Sequence, residues 1–254
     1  MKSLKSIRIL LLLTLLSQLL FSATEEQVEH YLQVSSSEEQ LITLENQFSQ
    51  MQQNLNRIKK DDTASDEYDM QLLSIRFREY IEKNLSEDEM NDILKQYRNV
   101  VLLKFVSVQN DVEYDEKEAQ TYMKEFEAED NASIRLEILN KISNTLYNKE
   151  NIGILFDSLM KPLLQNSMGG EQISEESLKK RKEAYIKRNI EDGRLETAYM
   201  TREFTFEELE TLLEIVKTPA IERESKVIFG ATAYALQEFF LSLASRYDPS
   251  KHKR

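Results

Sequence analysis

Two histidines, no cysteine and a surplus of carboxylates set the chemistry this chain of 254 residues could carry. His30 lies near the start and His252 in the terminal run Lys251-His252-Lys253-Arg254, so neighbours in sequence assemble neither a His-rich metal site nor a Ser/His/Asp arrangement. The missing cysteine removes thiolate zinc sites, iron–sulfur clusters, Cys nucleophiles, disulfides and a lipidated Cys together. The 45 Asp and Glu include pairs that could act as acid and base in the manner of glycosidases. That many acids on helical faces form pairs by chance, and none stands out. The sequence therefore assigns no catalytic, metal-binding or cofactor-binding residue.

Modification chemistry is better marked. Asn131-Ala132-Ser133 and Asn84-Leu85-Ser86 are acceptor patterns for N-glycosylation, and each has an acid two residues before the Asn, Glu129 and Glu82. A transferase needs a flexible acceptor, which favours Asn131 in its more polar surroundings. Both sites also read as helix starts, with Ser86 and either Asp130 or Asn131 as caps. One concentrated basic run, Lys179-Lys180-Arg181-Lys182 with Lys187-Arg188, is interleaved with Glu175, Glu176, Glu183 and Glu191 at helical spacing. It reads as a solvated helix laced with ion pairs; the sharper alternative is a docking face for anionic polymer or lipid head groups.

The first 23 residues have the layout of a secretory leader. Lys2, Lys5 and Arg8 precede a run from Ile9 to Phe21 that is apolar apart from Thr14, Ser17 and Gln18, and Ser22-Ala23 supplies small residues before Thr24-Glu25-Glu26. The apolar run of 13 residues is short of the roughly 20 that a span needs. Cleavage is expected near Ala23, after it or after Ser22. Loss of residues 1–23 takes three basic residues and no acid, leaving 30 against 45 and a net charge of −15 in place of −12. Such a surface repels phosphate backbones, so nucleic acid is not an expected partner. With no later apolar run long enough to span a bilayer, the periplasm is the expected destination.

The elements that would position any site read as helices almost throughout. Five Gly and three Pro are too few for sandwiches, propellers or a glycine-rich phosphate loop. Apolar residues recur at three- and four-residue steps in Leu41, Leu44, Phe48, Met51, Leu55 and Ile58. They do so again in Tyr68, Leu72, Ile75 and Tyr80, with Phe77 and Ile81 offset. Ile134, Ile138, Ile142 and Leu146 make a third stripe, and Ile154, Leu155, Leu159, Leu163 and Leu164 a fourth. Val100 to Val108 has strand-like β-branched density, but Met90, Ile93, Leu94 and Tyr97 lead into it without a breaker, which predicts the buried half of one long helix. Short polar loops at Lys59–Asp66, Glu113–Asp115, Glu127–Asn131 and Ser167–Ser174 predict an all-α, antiparallel helical bundle.

Leu85-Ser86-Glu87-Asp88-Glu89-Met90 and Phe204-Thr205-Phe206-Glu207-Glu208-Leu209 stand 119 residues apart and share one device. Ser86 or Thr205 can accept from the amide three residues on while Glu89 or Glu208 reaches back, and the flanking pairs Leu85/Met90 and Phe204/Leu209 form a hydrophobic staple. Ile93, Leu94 and Tyr97 then match Leu212, Leu213 and Val216. This predicts a tandem duplication, with helical unit 1 over residues 24–115 and unit 2 over 116–250.

Phe204 to Leu209, followed by Thr218-Pro219, resembles the C-terminal motif of the bacterial domain-of-unknown-function family numbered 2059. Its members are small, helical and usually exported, with an aromatic, Thr/Ser, two acids and Leu before Tyr-x-Ser-Pro-x-Gly-x-Lys. The second unit keeps Thr-Pro but has Val216, Ile221 and Arg223 for the aromatic, Gly and Lys. The first keeps Tyr97 and Lys104 but has Asn99-Val100 and Leu102 for Ser-Pro and Gly. The resemblance implies a fold class and a compartment and nothing more; no cofactor is expected. The functional expectation is a non-catalytic envelope protein that binds a protein partner as an assembly factor, chaperone-like module or scaffold. The alternatives are a carboxylate-based hydrolase and a bundle with an apolar ligand pocket.

Overall fold

Helices carry the whole architecture in the computed structural model, which describes residues 22–58, 68–111, 114–128, 132–167 and 173–246. Residues 1–21 of the expected leader, the expected loop 59–66, Asn131 and His252 lie outside that set. In chain order the elements are α1 (Glu25–Val34), α2 (Ser37–Ile58), α3 (Gln71–Asn84), α4 (Glu87–Gln96), α5 (Val100–Asp111), α6 (Glu116–Glu127), α7 (Ala132–Leu146) and α8 (Lys149–Leu155). A π turn (Phe156–Met160) leads into α9 (Lys161–Ser167), and α10 (Glu175–Met200), α11 (Phe206–Val216) and α12 (Pro219–Arg246) complete the bundle. Among the described residues there is no strand, only an isolated bridge between Ser22 and Ser86.

Local chemistry explains the breaks. Pro162 has no N–H to give the carbonyl of Ser158, and the helix passes through the π turn just before it. Tyr97 to Asn99 interrupt what the apolar pattern predicts as one helix from Met90 to Val108, because the Asn99 side chain accepts from the Val101 amide (2.8 Å) and restarts the backbone. The segment is helical, as expected, but it is two helices. Its first turn is not wholly buried either: Val100 is 76% exposed, while Leu102 lies in the core. On α3 the core face is Leu73, Phe77 and Ile81, and Ile75 faces outward.

Helix α12 forms the spine. It runs antiparallel to α3, with Arg223 on the Asn84 carbonyl at one end and Arg76 on the Tyr234 carbonyl and the Glu238 carboxylate at the other. Close approach there depends on Gly230, where a Cβ would lie 2.5 Å from the Tyr80 hydroxyl. Gly193 on α10 does the same for the Tyr147 ring, 2.4 Å from the equivalent point. Gly230→Ala and Gly193→Ala should therefore each destabilise by about 1–3 kcal/mol through overpacking. At Gly153 a Cβ meets nothing closer than 3.5 Å, so Gly153→Ala should be neutral or stabilising by its better helix propensity. Urea midpoints of the three variants check this, and a uniform response would refute it.

Both predicted capping boxes are formed, Ser86 with Glu89 and Thr205 with Glu208, and Thr24 with Gln27 makes a third. Leu85, Met90, Phe204 and Leu209 are all buried. The helices after the boxes begin at matching places, Glu87 and Phe206, then Val100 and Pro219. The cores cross between the halves. Met90 and Ile93 of α4 pack with Val227, Ala231 and Ala235 of α12, while Leu209 and Leu212 of α11 pack with Leu102 and Phe105 of α5. The box glutamates cross too: Glu89 pairs with Arg223 (2.8 Å) and Glu208 with Lys104 (2.7 Å). Residues 104 and 223 carry the same 119-residue offset as the boxes, so the two ion pairs are reciprocal.

Candidate functional site

Helices α1 and α4 lie side by side and run in the same direction. Their capping boxes sit at one end, where Gln27 also donates to the Asn91 side chain (2.9 Å) and the Glu87 carbonyl (3.3 Å). At the other end Tyr31 and Tyr97 meet edge to face, with ring centres 5.9 Å apart. Between them opens a cleft of about 680 Å³. One wall carries Glu26, His30 and Val34, one helical turn apart, and the other carries Asn91, Leu94, Lys95 and Arg98. Glu26 stands in the first turn of α1 and Asp92 midway along α4, with the cations Lys95 and Arg98 toward the carboxyl end of α4. The helix dipoles favour Glu26 and the two cations where they are.

Tyr97 belongs to the cleft wall, but its hydroxyl turns inward. It and the Tyr31 hydroxyl both donate to Oε1 of Glu224 on α12, at 2.5 and 2.7 Å. Glu224 is 7% exposed, and among the described residues no salt bridge reaches it. Burial pushes its carboxyl up to about 7, against the two phenol hydrogen bonds, which pull it down. Burial, then the Glu224 charge, drives both tyrosines well above the usual phenol range. A buried acid held by two phenols ties α1, the end of α4 and α12 at one point.

Two other hollows are smaller or plainer. Leu41, Leu44, Leu73, Phe77, Ile228 and Leu236 line an apolar space between α2, α3 and α12 of about 60 Å³, far below the roughly 300 Å³ at which small-molecule sites begin. A shallow hollow between α8 and α10 holds the ion pair of Asp157 and Lys182.

Asn84, the first of the two sequon residues, ends α3 exposed, with its amide donating to the Tyr80 carbonyl (2.8 Å). The Leu85 that follows is buried, and Ser86 is engaged in its box. Ala23, at the expected cleavage point, is buried against the same corner. The basic run lies on α10, where Lys180, Lys187 and Arg188 pair one turn along with Glu176, Glu191 and Asp192. No group of three or more His, Asp or Glu able to hold a metal occurs among the described residues. None of the helices there is long and apolar enough to cross a membrane.

Sequence reasoning missed Glu224 and its tyrosines. The signal was there: Glu224 falls in step with Ile221, Val227, Ile228 and Ala231, an acid inside the buried stripe of α12. Comparison with family models, with curated proteins and with solved structures finds no match to this chain.

Proposed function

We propose that the chain is an exported, periplasmic, non-catalytic helical protein, related to the family numbered 2059, that binds an envelope protein partner through the α1–α4 cleft. The observation that carries this reading is the cleft itself. Two parallel helices present matching stripes at helical spacing, with apolar Val34, Leu94 and Tyr97 among opposed charges. Such a groove suits a partner helix whose basic end faces Glu26 and Asp92 and whose acidic end faces Lys95 and Arg98. The hydrolase alternative would draw on the one carboxyl among the described residues that burial raises strongly, Glu224, and that acid is closed off by its tyrosines. The ligand-pocket alternative needs a larger apolar cavity than the 60 Å³ between α2, α3 and α12. The tandem duplication, also part of this reading, is supported by the reciprocal Glu89–Arg223 and Glu208–Lys104 pairs.

Photo-crosslinking groups placed at His30 and Arg98, with a third at Lys180 on the far basic helix, test the site in the native envelope. The expected result is one discrete adduct from the two cleft positions and none from Lys180. Combining the His30 probe with Lys95→Glu should abolish that adduct. Equal labelling from all three positions, or labelling indifferent to Lys95→Glu, would refute the cleft as the docking face.

A further inference from the structure

Resting on the export reading, we infer that the leader is removed between Ser22 and Ala23, and that the new terminal ammonium of Ala23 docks on the Leu85 carbonyl at the start of α4. The sequence alone leaves two places for the cut, after Ser22 or after Ala23. The surroundings of Ala23 in the full-length chain distinguish them.

Ala23 is not a spare leader residue. It is 5% exposed, packed in the cluster that holds Val28, Leu85, Met90 and Ile93, and its nitrogen donates to the Leu85 carbonyl at 2.8 Å. Leu85 is itself 2% exposed and begins the staple over Met90. The matching carbonyl in the second half, that of Phe204, accepts from the Arg135 guanidinium at 2.7 Å. In both halves, therefore, the carbonyl just before the box takes a donor from elsewhere in the chain. In the second half that donor is charged, and the cut after Ser22 makes it charged in the first.

A cut after Ala23 removes the buried methyl and the donor together. It also places the positive terminus on Thr24, the N-cap of α1, whose amide already donates to the Gln27 side chain at 2.9 Å. A cation at a helix start opposes the dipole. The cut after Ser22 sets the positive group one residue before the cap, where the charge-assisted hydrogen bond to Leu85 offsets its burial, and close in sequence to Glu25 and Glu26. Peptidase preference leaves the choice to the fold. A-x-A-like sites take small side chains at the first and third positions before the cut. Both cuts supply a small first residue, Ser22 or Ala23, and both set a large third one, Leu20 or Phe21.

Hydrolysis balances simply. Water adds across the Ser22–Ala23 amide, the hydroxyl going to the Ser22 carbonyl carbon and a proton to the Ala23 nitrogen. The leader departs as a carboxylate, whose released proton completes the ammonium.

Intact-mass and N-terminal sequencing of the chain recovered from the envelope test the inference. A start at Ala23 is expected. A start at Thr24 would overturn the inference while leaving export standing, and an intact Met1 would overturn the export reading and the inference with it. A second measurement compares melting of chains 23–254 and 24–254. The shorter should melt lower by about 3–8 °C, and equal melting temperatures would overturn the structural role of Ala23.

Discussion

Replacing Phe204 with aspartate lowers stability by about 4 kcal/mol or more, and the loss appears in a single unfolding transition. The ring is 3% exposed, meets Phe105 edge to face at 6.5 Å between centres and lies under the Lys104 amine at 4.4 Å. Aspartate empties that space and forces a charge into it, with Lys104 able to offset only part of the cost. Leu85→Asp should cost less, because a smaller side chain is lost. One transition is expected because Phe204 shares its cluster with Leu102 and Phe105 from the first half and Leu212 and Ile221 from the second. Urea titration followed by both circular dichroism and tyrosine fluorescence reads this directly. Two transitions, the first with an unchanged midpoint, would show halves that fold independently.

Glu224→Gln should remove most of the fall in stability between pH 4.5 and 7. The folded carboxyl titrates near 7 against an ordinary 4.5, so in that window the folded chain holds a proton that the unfolded chain has released. Stability from this group is therefore highest below 4.5, declines as pH rises through the window and is flat above it, a change of about 3 kcal/mol. Glu89 and Glu208, held low by hydrogen bonds from their boxes and by Arg223 and Lys104, act in the opposite sense, losing their stabilisation below that window. The glutamine keeps an acceptor for the phenols and has no charge to bury. At pH 8 the variant should equal or exceed the natural chain in stability, while at pH 4.5 the order reverses or the gap closes. An unchanged slope between pH 4.5 and 7 would show that Glu224 does not titrate there.

What was legible in the sequence is what short-range chemistry determines. The boxes at Ser86 and Thr205 reach only three residues, and their staples five, so residue types alone specify them. The face of α3 was less legible, because Ile75 and Phe77 both fit a helical stripe and only the neighbouring α12 selects Phe77. Tyr97 to Asn99 carry no Gly or Pro, and an Asn that restarts a helix is indistinguishable in sequence from one that rides along it. The cleft was illegible for a plainer reason. Its walls come from segments far apart in the chain, and His30, Lys95 and Arg98 are ordinary surface residues until α1 and α4 lie together. Glu224 was visible as an acid in an apolar register, but the two tyrosines that make burial tolerable are 127 and 193 residues away.

The crosswise packing of the two boxes also fixes the order in which the chain can become native. Arg223 is 134 residues from Glu89, and Glu208 is 104 from Lys104, so neither pair forms until most of the polypeptide exists. Contacts this far apart in sequence form late, since loop closure comes before its compensating contacts. During synthesis α4 has no Val227 or Ala231 to cover Met90 and Ile93 until the last helix is made. The cluster around Met90 and Ile93 thus lacks part of its cover until then.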